Sequence, residues 1–434
     1  MLRQRFRIRN GWAPHRGVAC LGRLVIWGAD RVNQQSNYFW YMTCLFCFVA
    51  PLGIQTVLFP WLVVVEMEGS GARLGFAQFC LQLPAIFLIL LGGLLADRFN
   101  RAKILMICHG VAVLPALGLA FAIFTDQLSY VALLMYALAI GTVTAFVQPA
   151  RDGMLNQIAS DDLQKGVTIS MGLTFGGQFV GFMLGGAAET VGPTMLLLVH
   201  SALMAFGVAC AAFLLNLQSR NHPSDADGIQ SQRFSTDSGL IAIRRSLIWV
   251  RQSPAMLPVM FLVFSMSLLY GGAYMVLVPI ITRDVYGGGA SEIAQCFMAF
   301  VAGTVFVTGL LVKVGGLKNP LFGLQCGLLG GGFCLIAGAS VSSFNNFLWI
   351  LVAWGGCGAV AMSMARTLIQ EAAPEAFRSR ILAIFSLANM GGMPLGGLIL
   401  GSLSVVIGGE ISLWVVSISM FVILALFRWR QAAS

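Results

Sequence analysis

Twelve long apolar runs constrain this chain more than anything else in it. They fall at 41–64, 72–95, 104–124, 129–148, 167–189, 193–215, 257–281, 290–313, 320–340, 344–366, 380–406 and 409–429. A helix of about 20 residues spans the ~30 Å hydrocarbon core of a bilayer. The runs are continuously apolar rather than alternating, so they predict helices and not barrel strands. Composition agrees: 58% of the 434 residues are hydrophobic and 10% charged, against about 25% charged in soluble domains. The lipid bilayer is therefore the first expected partner, and the expected fold class is an all-α membrane protein.

The net charge of +9 would suggest nucleic acid in a soluble protein, but its distribution points elsewhere. Of the 26 Lys and Arg, 24 precede the first run, follow the last, or lie in the loops on the same side; only Arg73 and Arg283 lie on the other. By the positive-inside rule the basic side is cytoplasmic. The expectation is a multi-pass protein of the plasma membrane, a bacterial inner membrane, with both termini in the cytoplasm and no nucleic-acid partner. Arg23, Asp30 and Arg31 interrupt the start, so no cleavable signal peptide is expected. The expected organisation is a basic segment at 1–40, six helices at 41–215, a polar linker at 216–256, and six more helices with a short basic tail at 257–434. Within the linker, Leu240 to Trp249 suits either a helix lying on the membrane surface or a plain solvated stretch. All ten Cys except Cys20 sit in apolar runs, so they act as small hydrophobes, and the C-x-x-C of Cys44 and Cys47 is assigned to packing.

The two halves echo each other, as transporters built from repeats do. PARDGMLNQIASDDLQKGVT at 149–168 parallels MARTLIQEAAPEAFRSRILA at 364–383, and GGQFVGFMLGG at 176–186 parallels GGMPLGGLILG at 391–401. Gly177, Gly181, Gly185 and Gly186, and in the second half Gly392 and Gly396, place small residues on a helix face where another helix can approach closely. Such stripes serve either pure packing or a hinge, and Pro394 adds a bend.

Between the second and third runs lies GLLADRFNRAK, from Gly93 to Lys103. This resembles the signature loop of the major facilitator superfamily, G-x-x-x-D-R-x-G-R-[RK], with Asn100 in place of a Gly and Ala102 before the last basic residue. Asn tolerates left-handed backbone geometry, so the turn is expected to survive. The resemblance implies a major facilitator fold of two pseudo-symmetric six-helix bundles. It also implies a gating loop of Gly93, Asp97, Arg98, Arg101 and Lys103, with Asp97 set against the start of helix eleven near Ser379 to Ile381. The alternative for the basic residues is that they only enforce topology. The loop between the eighth and ninth runs carries Lys313 and Lys318 where an Asp would stand, and these are assigned as positive-inside anchors. The helix-five stripe is similar to the antiporter motif of drug exporters, with Phe182 at its Pro position. LLADRFNRAKIL at 94–105, QPARDGML at 148–155 and the stretch 369–399 resemble the exporter branch that contains the enterobactin exporter and macrolide efflux proteins. Helix four lacks the Arg of the proton-linked motif of many drug antiporters.

In such a fold Gln55, Thr142, Tyr270 and Tyr274 would line a central cavity, with Gln178 and Asn389 on flanking helices; taken alone, each fits an ordinary helix–helix hydrogen bond better than a substrate contact. An aromatic face with amides and no fixed charge suits a small amphipathic substrate. No Asp or Glu lies deep in any run, so Asp97, Glu66, His109 and His200 are the candidates for carrying protons if protons drive transport. Four scattered His, no H-E-x-x-H and no phosphate-cradling loop give no catalytic residue, no metal site and no cofactor. Export is expected over import; a facilitator and a non-transporting sensor or lipid-handling scaffold stay open.

Overall fold

The computed structural model describes residues 16–159, 163–221, 248–253, 256–374 and 378–433. Among these, twelve helices are long and apolar enough to cross a membrane. In chain order, α1 is Arg16–Trp61, continued by a wide turn at Leu62–Glu66; α2 is Gly71–Arg98, α3 Arg101–Phe124, α4 Tyr130–Ile158, α5 Leu163–Gly185 and α6 Pro193–Asn221. In the second half α7 is Met256–Asp284, α8 Ala290–Val314, α9 Pro320–Ser340, α10 Phe344–Ala372, α11 Arg378–Ile407 and α12 Gly409–Ala433. A single turn, Ala188–Val191, separates α5 from α6.

Four boundaries differ from expectation, one of them α6, which runs on to Asn221 and so into the expected linker. The helix of α4 runs through Pro149 to Ile158, and α10 runs past Arg366 to Ala372. Both extensions carry the paired polar stretches, which are therefore helical rather than loops; once outside lipid, a helix can continue without an apolar signal. The segment at 1–40 contributes its residues from Arg16 onward to α1, and residues 1–15 lie outside the described part. Most of the linker, including 240–247, also lies outside it; Ile248 to Gln252 are helical, with Ile248 and Trp249 exposed and Val250 buried.

Each half uses the same helix pairings. In the first, α1 packs on α5, α2 on α4 and α3 on α6; in the second, α7 packs on α11, α8 on α10 and α9 on α12. The glycine stripes make the closest of these seams. A Cβ on Gly53 of α1 would stand 2.6 Å from the Gln178 carbonyl and 2.8 Å from the Gly181 Cα, and one on Gly272 of α7 would stand 2.8 Å from the Gly396 Cα. Gly185 faces Val57, Gly177 meets Phe46 and Val49, and Gly392 abuts the backbone of Phe264 and Leu268. Without a hydrophobic force between helices in lipid, such backbone-to-backbone approach supplies the packing.

The halves meet along α2 with α11 and α5 with α8. Basic loops lie at one face of the molecule, here the basic face, and the loops after α1, α5, α7 and α11 lie at the opposite face. One hydrophobic core is continuous across both halves, and its second-half members (Val276, Ile280, Ala290, Ile293, Ala294 and Phe297) all belong to the opposite-face portions of α7 and α8. Toward the basic face the cores separate. One cluster around Tyr41, Leu45, Met154 and Leu214 draws only on the first half, and the large second-half core contains no buried first-half residue. The molecule is thus sealed at the opposite face, and its halves part toward the basic face.

Candidate functional site

The seal is made of main chain and a few polar groups. Gly75 of α2 packs against the backbone of Gly397 and Gly401 of α11, and Gly71 packs against Gly401 and Ser404. On the other seam Phe182 meets Phe297 at 5.9 Å between ring centroids, and a Cβ on Gly186 would stand 2.8 Å from that of Ala294. The Glu189 carboxylate, in the first half, accepts from Trp61 Nε1 at 3.1 Å and from the Ala290 N–H, the first of α8, at 3.0 Å. Arg283, at the end of α7, donates through Nη1 to the carbonyls of Val64 (2.6 Å) and Gly69 (2.9 Å) beyond α1.

Just beneath the seal stands an aromatic wall. Tyr274 lies 4.9 Å from Phe297, 4.4 Å from Phe300 and 6.3 Å from Trp354, centroid to centroid, and packs on the cores of both halves. The phenol of Tyr274 has no hydrogen-bond partner among the described residues. Tyr270 shares Trp354 at 6.1 Å but is buried and donates to the Leu328 carbonyl of α9 at 2.6 Å. That bond directs Tyr270 into the second half's own core, so the expectation that the two tyrosines form one cavity face is corrected. Wide π turns at Ser267–Gly271 and Ala273–Leu277 break the α-helical period between them.

The other polar candidates divide similarly. Gln55 is buried and accepts from Tyr136 at 3.3 Å, a contact between α1 and α4 inside the first half. Thr142 donates to the carbonyl of Leu138 in its own helix, on a face that also carries exposed Met135. Gln178 is half-buried, one turn before Phe182 on the side of α5 toward α8. Asn389 is half-buried on α11, and its backbone carbonyl accepts from Ser267 of α7. Gln178, Tyr274 and Asn389 therefore keep some exposure, whereas Gln55 and Tyr270 are closed into their halves.

At the basic face, Asn100 is not left-handed: at φ −61° and ψ 121° it is extended, and its Oδ1 caps α3 by accepting from the N–H groups of Ala102 (2.9 Å) and Lys103 (3.3 Å). The turn survives because Asn is a strong N-cap. Arg101 donates to the carbonyls of Ala96 (3.2 Å) and Gly153 (2.9 Å), tying α2, α3 and α4 together, and meets Asp97 at 3.8 Å. The Asp97 side chain is 79% exposed, while Arg98 and Lys103 are exposed and Gly93 has open space on its Cα. With the basic face open, Asp97 is oriented by its own loop. The side chains of Ser379 and Arg380 lie outside the described part.

His109 is buried, with Nδ1 2.8 Å from the Leu105 carbonyl, so that nitrogen carries the proton, and with Nε2 3.8 Å from Cys44. His200 is buried against Tyr136, and neither ring nitrogen has a hydrogen-bond partner among the described residues. Glu66 is exposed beyond the end of α1.

Sequence reasoning missed Phe297, Phe300 and Trp354 because aromatic residues in an apolar run carry no mark of what they face. It also missed Gly71, Gly75, Gly397 and Gly401, although the i, i+4 spacing of each pair was available as a signal. Arg283 stood out as a basic residue on the far side, but nothing in the sequence tells which backbone carbonyls it holds, nor that Glu189 meets Trp61 and the start of α8.

The description Major Facilitator Superfamily matches residues 41–397. No curated protein was found to match the chain. Among solved structures, a nucleoside transporter, NupG, is 14% identical over 91% of this chain and 98% of its own, with a TM-score of 0.66. A bacterial homologue of the human lysosomal transporter Spinster, inward-facing and unoccupied, is 15% identical over 92% and 96%, with a TM-score of 0.67. A POT family transporter in complex with 5-aminolevulinic acid is 13% identical over 91% and 94%, with a TM-score of 0.68.

Proposed function

Since the chain belongs to the major facilitator superfamily, and is thereby a membrane transporter, we propose that it is a secondary transporter exporting a small amphipathic molecule, drug-like or siderophore, by alternating access. The observation that carries this reading is the aromatic wall of Tyr274, Phe297, Phe300 and Trp354, placed where the joined core of the opposite face gives way to the separate cores of the basic face. A molecule entering between the halves from the basic side would meet the half-buried rings of Tyr274 and Phe300, backed by the fully buried Phe297 and Trp354, with Gln178 and Asn389 as the half-buried amides of the flanking helices and no fixed charge. In a water-poor site, rings supply most of the contact area and a few amides set orientation.

In this reading the bundles 41–215 and 257–434 rock about the linker 216–256, the basic face is cytoplasmic, both termini lie there, and the membrane is a bacterial inner membrane. The outward direction draws on the resemblance to the enterobactin exporter and macrolide efflux branch. The gating loop at Gly93 to Lys103 would close the basic face, with Asp97 as its acidic member. Proton coupling, if present, would need a carrier, and His109, His200, Glu66 and Asp97 are the candidates.

The test is flux in inverted vesicles, with amphipathic fluorescent compounds and iron-chelating siderophores, with and without a proton gradient. Saturable accumulation that is lost in Asp97→Asn supports the exporter and its loop; accumulation independent of the gradient removes proton coupling. No flux of any compound through correctly inserted protein would count against export of this substrate class.

A further inference from the structure

We propose that Glu189 is the latch of the opposite-face gate and that its protonation from that side releases the gate, making the conformational balance of the transporter sensitive to pH on that side. The proposal rests on the alternating-access reading above.

The case begins with the unsatisfied groups at a helix start. The first N–H groups of α8 have no partners within the helix, and that end carries partial positive charge. One of them, the Gly289 N–H, is met by Glu292 Oε2 at 2.8 Å within the same helix turn. The next, Ala290 N–H, is met from the other half by Glu189 Oε1, which at the same time accepts from Trp61 Nε1. A single carboxylate oxygen thus joins α1, the turn after α5, and α8 across the seam between the halves. The seam is shaped for it, because a Cβ on Gly289 would collide with the Glu189 carboxylate.

The second polar clasp cannot titrate usefully. Arg283 holds the Val64 and Gly69 carbonyls as a guanidinium and stays charged across the accessible range. Of the two clasps, Glu189 is therefore the one that protonation can weaken. The titratable and charged groups around it are Glu292 of α8, Arg283 of α7 with its partner Asp284 (2.6 Å), Tyr286 of the loop after α7, and Glu66 beyond α1. Tyr286 is held neutral, pushed up to about 12 by burial, with Cys296 and Glu410 acting in the same direction, while it donates to the Val341 carbonyl. A vestibule of about 630 Å³ lined by Val65, Glu189, Arg283, Tyr286, Glu292 and Phe344 opens at this face, so Glu189 exchanges protons with the solvent there.

The sign follows. Ionised Glu189 favours the sealed state, because protonation would turn a charged acceptor into a neutral one and weaken its bonds to Trp61 and Ala290. Because the same compartment supplies and receives the proton, the latch senses pH and moves no net proton across the membrane.

The experiment measures the separation of labels carried by unnatural amino acids at Val191 and Val285, both exposed at the opposite face on either side of the seam, in full-length protein in lipid nanodiscs. In the wild type a longer separation should gain population from about pH 7 to about pH 4, the range over which glutamate carboxylates ordinarily take up a proton. Glu189→Gln should raise the open-to-sealed ratio about three- to tenfold at the higher pH and flatten the dependence, as expected for loss of a charge-assisted bond, and Glu189→Ala should do so further. Glu292→Gln should keep the pH dependence, and Trp61→Phe should shift the ratio without abolishing it. A Glu189→Gln protein with the wild-type ratio and pH response overturns the latch, as does a wild type with one fixed separation at every pH, whatever flux vesicles show. A pH-responsive separation without flux of any compound would instead sink the export reading and leave the latch standing.

Discussion

Gly181→Ala adds one methyl group, and the structure says where it would go. The new Cβ would lie 2.6 Å from the Gly53 Cα and 2.8 Å from the Ile54 nitrogen, with the Ala50 carbonyl closer still. The nearest of the distances quoted is about 0.8 Å inside the 3.4 Å at which ordinary contact begins. The obstacles are backbone atoms of α1, so no rotamer change relieves them and the two helices must separate. Overpacking of this kind costs about 1–3 kcal/mol, while replacing Gly by Ala in a helix returns up to about 1 kcal/mol of propensity. The net expectation is a loss of about 1–2 kcal/mol. Gly176→Ala is the matched control, since nothing lies within 4 Å of a Cβ there; it keeps the propensity gain alone. Gly53→Ala attacks the same seam from α1, so Gly53→Ala with Gly181→Ala should cost less than the two single losses together, because helices already parted for one methyl have room for the second. Thermal or denaturant unfolding of the purified protein in one detergent reads all four variants. Should Gly181→Ala prove as stable as Gly176→Ala, the α1–α5 seam is not the close approach argued above.

Tyr270→Phe should cost about 1 kcal/mol of stability by removing its hydrogen bond to the Leu328 carbonyl and leave the half-saturating substrate concentration unchanged, whereas Tyr274→Ala should raise that concentration; vesicle flux beside unfolding separates the two tyrosines. Asn100→Ala should lower stability by about 1 kcal/mol through loss of the α3 cap, measurable by unfolding, and a stability equal to the wild type would remove the cap from the account. Gly75→Val should wedge α2 from the Gly397 and Gly401 backbone, so that Gln78→Cys, at a position only 4% exposed, becomes labelled several-fold faster by a membrane-impermeant thiol reagent. Unchanged labelling would show that this seam does not hold the opposite face shut.

The helices were legible because bilayer thickness fixes the length of an apolar run, and the repeat was legible because a close helix seam needs small residues every fourth position. Gly177, Gly181 and Gly185 announce a seam, but nothing in their spacing says that its other side is α1. The same holds for Gly392 and Gly396 against α7. The extensions of α4 and α10 escaped because Pro149 and Arg366 look like stops when the apolar run is the only guide. Tyr270 was misplaced because the sequence does not reveal the π turns of α7, and those turns decide that it donates to α9. Asn100 was recognised as a residue fit for a turn, but its use as an N-cap depends on the carbonyls and N–H groups that α2 and α3 bring to it.

The way the molecule divides its contacts also decides what can move. Within each half the helices touch backbone to backbone, at Gly53 with Gly181 and at Gly272 with Gly396, and every displacement there meets atoms that cannot rotate away. Across the halves, the basic face has separate cores, and the opposite face is held by the glycine seam of α2 with α11, the Phe182–Phe297 contact and the hydrogen bonds of Glu189 and Arg283. Hydrogen bonds to charged groups are worth about 1.5–3 kcal/mol each when shielded and less at an exposed carboxylate such as Glu189, and conformers that interconvert in transport differ by a few kcal/mol. A clasp of this size is strong enough to favour the sealed state and weak enough for a substrate, or a proton on Glu189, to reverse it.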